Sequence, residues 1–221
     1  MKKFLLGFLV FQLITFAASA QLQKGNKILG GTINYSTSTT TSDNSGAAGG
    51  QINKTNNFNV SPSLGFFVTD RTVVGLMFDI NSYSNESSGL TGLSFRINSN
   101  QFGFGPFVRR YFSLKEWVAF YGQAELGFSN QKTELTYPSF PNQNSELTTK
   151  AINLSTSLGL AFFPTNWMSV DLSINPLTFT HQITRQKEVS PNTIEGNTNT
   201  FNFNLTSNSF QLGAHFFFNM K

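Results

Sequence analysis

From Phe58 to Met220 the chain sets apolar side chains on even-numbered positions, in short runs parted by polar stretches. Val74, Leu76, Phe78 and Ile80 make one run, and Ile152, Leu154, Leu158, Leu160 and Phe162 another. A period of two belongs to β-strands, whose side chains alternate between faces. The pattern predicts eight strands, near residues 29–35, 56–68, 72–83, 100–112, 117–128, 152–162, 168–174 and 210–220. In the first, Leu29, Gly31, Ile33 and Tyr35 share a face.

The connections alternate in length. Short turns are expected at 69–71, 113–116 and 164–166; between them lie long polar segments that read as loops, at 36–50, 84–98, 129–150 and 180–199. Short turns at one end and long loops at the other are the habit of transmembrane β-barrels. The expected fold is all-β, an eight-stranded antiparallel up-and-down transmembrane β-barrel with short periplasmic turns and long extracellular loops. One domain, residues 21–221, accounts for the chain.

A soluble barrel alternates in the same way, so the polar face has to decide the direction of the apolar one. Odd positions carry Asn57, Asn59, Ser61, Ser63, Ser155 and Ser157, small uncharged groups suited to a crowded lumen. A washed exterior would carry Lys and Glu instead. The even face is therefore set against lipid, and Arg110, its one charge by parity, lies close to a turn where it can reach the head groups.

Composition agrees. Only 12% of residues are charged, against roughly 25% in soluble domains, and there are 25 Phe. Lys2 and Lys3 before the apolar run 4–16, then Ala18-Ser19-Ala20, read as a signal peptide cleaved after residue 20. The net charge of +4 owes two units to that leader, and no basic cluster suggests nucleic acid. Cysteine is absent, which removes disulfides and Cys-based metal sites from consideration.

The segment Gly103-Phe104-Gly105-Pro106-Phe107-Val108-Arg109-Arg110-Tyr111-Phe112, the hairpin 120–128 and the closing strand 210–218 resemble the small eight-stranded outer-membrane β-barrel proteins of Gram-negative bacteria. The resemblance spans the mature chain. It implies residence in the outer membrane, contact with outer-membrane lipid, and insertion by the barrel-assembly machinery, whose usual C-terminal aromatic signal is here followed by Asn219-Met220-Lys221. Family members range from structural barrels through adhesins to carriers and a few lipid-modifying enzymes.

Two sets of inward residues are candidates for function. Phe67, Phe107, Tyr111, Trp117, Tyr121, Phe163, Trp167 and Phe217 have odd parity and cluster near the short turns or the C-terminus, so they would plug the periplasmic end. Strand-end parity also lets Trp117 and Trp167 join the interfacial aromatic girdle instead. Asp79, Arg109, Glu125, Asp171 and His215 would form a lumenal ionic network, with Arg109 paired to Asp171 or Glu125, because unpaired buried charge is costly. Its bland role is rigidity; a ligand or proton path is the other. His181, read as a loop residue, is a lone candidate for lipid-modifying chemistry.

The expected role is structural or surface interaction by a monomer, with 36–54 and 129–150 as contact surfaces for an extracellular partner. The alternative is a carrier of a small apolar ligand that uses the outer cup and a lateral opening. No catalytic residue, metal or cofactor is expected, and no nucleic-acid partner.

Overall fold

The computed structural model describes residues 22–42, 50–89, 94–187, 193–203 and 211–218. They form nine antiparallel strands: β1 (Lys27–Ser42), β2 (Gln51–Thr69), β3 (Thr72–Gly89), β4 (Ser94–Lys115), β5 (Val118–Thr136), β6 (Ser145–Thr165), β7 (Met168–Lys187), β8 (Thr193–Phe203) and β9 (Gln211–Phe218). Each of the first seven pairs with its sequence neighbour, and β9 closes the ring by pairing with both β7 and β1. β8 lies on the same edge of β7 as β9, so the two are the outer and inner halves of one stave. Eight staves make the barrel, as the periodicity predicts.

Phe66, Leu76, Phe104, Leu154 and Leu212 stand exposed around the outside, while Ser61, Ser63, Arg109, Asp171 and His215 are buried within. A wall of exposed aromatic and aliphatic side chains is stable only against hydrocarbon. The barrel belongs in a membrane.

The long polar segments are not loops where they are described. β4 runs for 22 residues and β6 for 21, about twice the 9–11 that cross a bilayer. The β1–β2 ladder continues to Ser42 opposite Gln51, and the β5–β6 ladder to Leu135 opposite Ser145, with a 3-10 turn (Pro141–Gln143) at its tip. Above the membrane both faces of a strand meet water, so the alternation fades although pairing persists. The Thr-rich composition of 37–41 was the remaining sign of a strand. Residues 43–49, 90–93 and 188–192, like the proposed leader and Asn219-Met220-Lys221, lie outside the described residues.

Register shifts at three turn ends, and within a strand parity breaks in β7. Leu158 faces Ile174 but Thr156 faces Leu177, so β7 holds one extra residue at Asn175 and Pro176. A bulge of this kind sends every later side chain to the opposite face. Phe179, His181 and Ile183 consequently point outward, and His181 sits on β7 rather than in a loop.

Candidate functional site

At the periplasmic end the short turns bring inward aromatic residues to one level. Tyr121, Tyr111, Phe67, Phe217 and Phe163 follow one another around the lumen with ring centroids 5.7–6.1 Å apart. Phe107 joins the same buried cluster, with Ile28, Val73, Ala119 and Ala161 filling between the rings. The backbone fixes the layer: the N–H groups of Tyr111, Phe163 and Phe217 donate to the carbonyls of Arg71, Trp117 and Trp167 at 2.8–2.9 Å. Small residues make room. The Tyr121 ring lies over Gly159, where a Cβ would come within 2.6 Å of Cζ.

Trp117 and Trp167 are not part of this layer. They are 50% and 55% exposed, and each stacks on an outward neighbour, Trp117 on Phe162 and Trp167 on Phe216. Both belong to turns, outside the runs for which parity holds: each directly precedes the strand it opens. Their carbonyls serve the interior while their indoles face the interface, where an amphipathic ring is well placed.

Directly above the rings lies a buried charged group. Arg109 Nη1 donates to Asp171 Oδ2 at 3.0 Å and to the Tyr111 hydroxyl at 3.2 Å, and Nε donates to Gln123 Oε1 at 2.8 Å. The guanidinium also sits 4.3 Å from the centre of the Tyr121 ring. Asp171 Oδ1 accepts from Ser169, and the His215 ring lies between Asp171 and Ser63. Five strands, β2, β4, β5, β7 and β9, are tied together across the lumen by this one group. Glu125 is not among its partners, and Asp79 lies apart, accepting from Asn59 Nδ2 at 3.0 Å and Ser61 Oγ at 2.7 Å. Gln123, a lumen amide with no charge to draw notice, was missed by sequence reasoning.

Over this floor the lumen widens into a cup of about 450 Å³ open toward the outer end. Its wall mixes amides, hydroxyls and carboxylates, among them Asn57, Asn59, Ser155, Asp79 and Glu125, with apolar surface that includes Met77. A solute that carries hydrogen-bonding groups as well as a hydrocarbon portion fits this lining.

The ladder beside the cup lacks rungs at one level, although the β4 backbone at Gly105 stays close against Leu126 and Gly127 of β5. β4 and β5 pair at Phe104–Phe128 and again at Phe107–Glu125, with no rungs between, around Pro106. Proline has no N–H to give to a ladder. On the lipid side a groove of about 530 Å³ covers this place, and it is lined by Pro106, Val108 and Leu126 together with Phe107 and Glu125. Glu125 borders the cup as well. Pro62 interrupts the β2–β3 ladder in the same manner.

Among the described residues no group of three or more potential metal ligands gathers. The sequence matches the family model described as "Outer membrane protein beta-barrel domain" over residues 6–218. Among solved structures, the outer membrane protein OprG from Pseudomonas aeruginosa is similar at a TM-score of 0.51 and 12% identity, covering 90% of this chain and 98% of that one. The attachment invasion locus protein Ail of Yersinia pestis aligns with a TM-score of 0.39 and 14% identity, over 89% of this chain and 100% of that one. At such identities the likeness to OprG speaks to the fold alone. Comparison with curated protein sequences finds no match.

Proposed function

Since this chain belongs to the outer membrane protein beta-barrel domain family and resides in the outer membrane, its role lies in what its wall encloses, and we propose that it carries a small amphipathic solute from the outer cup sideways into the bilayer. The single observation behind this reading is that Glu125 and Phe107, both inward by parity, also line the lipid-side groove at the Pro106 interruption. The solute would enter from outside and find the periplasmic end blocked by packed rings. It would then leave where β4 and β5 lack rungs. The polar lining asks for a ligand with hydrogen-bonding groups, and the apolar groove for a hydrocarbon portion.

The test is uptake of medium-chain alcohols by vesicles holding the purified barrel. Pro106→Ala supplies the missing N–H and should slow uptake several-fold, and Glu125→Gln should alter it, both with an unchanged unfolding midpoint. Uptake equal to wild type in both variants would remove the lateral route.

A second reading, contact with an extracellular partner, draws on a separate observation. β5 and β6 stay paired for seven residues beyond Phe128, which at the usual strand rise and tilt lifts a stiff hairpin about 18 Å above the apolar belt. Such a hairpin presents side chains in fixed register, and the surface 129–150 is then a rigid ladder instead of the loop expected of it.

A further inference from the structure

The cup carries more acid than base. Three carboxylates line it, Asp79, Glu125 and Asp171, against two basic side chains, Arg109 and His215. Both basic groups lie on Asp171 at 3.0 Å, so Asp79 and Glu125 are left without a cation among the residues of the cup. Asp79 accepts from the neutral donors Asn59 and Ser61. The charged group that acts on Glu125 is Asp79, which has the same sign. Two like charges in a narrow lumen with low-dielectric walls repel each other and focus a negative potential into it.

Bare backbone lies between the two acids. Asp79 stands on β3 and Glu125 on β5, while Gly103 of β4 and Gly127 of β5 line the cup beside them. A Cβ at Gly103 would lie 3.5 Å from Asp79 Cβ, and one at Gly127 would lie 3.5 Å from Glu125 Oε1. The missing side chains leave a hollow rimmed by both carboxylates. Met77, two residues before Asp79 and packed against the ring layer, gives that hollow an apolar flank.

We propose that the cup selects amines: the ammonium of the solute sits over Gly103 and Gly127 between Asp79 and Glu125, and its hydrocarbon chain runs toward Met77. This rests on the reading of the cup as the point of entry, and it names the class of solute that enters. An ammonium brings three N–H donors to two carboxylates that lack a cation, and Asn153 and Ser155 stand on the same wall to accept what those leave. It also relieves the repulsion between the acids. A neutral alcohol cannot do so, and an anion would add to it.

Isothermal titration of the purified barrel in detergent tests this at neutral pH with three probes of one chain length, hexylamine, hexanol and hexanoate, each corrected for uptake by empty micelles. The wild type should bind hexylamine about tenfold more tightly than hexanol, since charge-assisted hydrogen bonds are the stronger kind, and hexanoate more weakly than either. Glu125→Gln should erase most of that preference, and Glu125→Gln with Asp79→Asn all of it. Gly127→Ala keeps both acids but sets a methyl group in the hollow, so hexylamine should weaken several-fold while hexanol stays nearly unchanged. Heat-dependent gel mobility verifies that each variant is folded. Glu116→Gln, at the exposed turn between β4 and β5, should leave the preference intact. Equal affinity for hexylamine and hexanol in the wild type, as when Glu125 simply holds a proton, would overturn the proposal. So would a preference unchanged in Glu125→Gln or, where that variant does not fold, in Gly127→Ala. Binding in detergent does not need the exit at Pro106, so Pro106→Ala should keep the amine preference. Equal affinities here beside alcohol uptake that slows in Pro106→Ala would remove the amine and leave the lateral route standing.

Discussion

The two halves of the lumen are built from the same strands and obey the same alternation, yet they hold opposite contents. Toward the periplasm the inward positions are Phe67, Tyr111, Tyr121, Phe163 and Phe217, packed ring to ring over small residues. Toward the outside they are Asn57, Asn59, Ser155 and Ser157 around open volume. An eight-stranded barrel is narrow enough for large side chains to fill and for small ones to leave hollow. Residue size at odd positions, rather than strand number, decides which end is shut. Between the halves sits the buried group Arg109, Asp171 and His215.

If that division is correct, substitutions should grade by level. The largest effect belongs at the boundary. Arg109→Leu leaves Asp171 buried without its guanidinium and should cost about 3–5 kcal/mol, read as a lower urea midpoint for the folded band. Next comes the ring layer. Gly159→Val forces the Tyr121 ring away and should cost about 1–3 kcal/mol through overpacking, with a matching rise in ion leakage. Smallest is the cup. Ser155→Ala removes a hydroxyl from a wet wall and should shift stability by about 0.5 kcal/mol or less. A cup substitution as damaging as Arg109→Leu would mean that the two halves are not distinct.

Much of the fold was legible because burial on one face and lipid on the other imprint a period of two on the chain. The stave count and the outward parity could be read this way; the partner of Arg109 was left between Asp171 and Glu125, and register decides for Asp171. The signal disappears where both faces are wet, so 129–136 and 145–150 were read as loop although they remain strand. Parity fails at turns and bulges too: it left Trp117 and Trp167 either inward or in the girdle because each stands in a turn, and His181, beyond the insertion at Pro176, was assigned to a loop. The Pro106 interruption was in plain view as a proline within a strand. Its meaning depended on knowing that Glu125 stands across from it, which only register reveals.

The most direct measurement is conductance of the purified barrel in a planar bilayer. A lumen that ends on packed rings and a buried charged group predicts no steady ion current in the wild type, with current appearing in Gly159→Val. A large, stable conductance through the wild-type protein would mean that the floor is open and that solutes need no sideways exit.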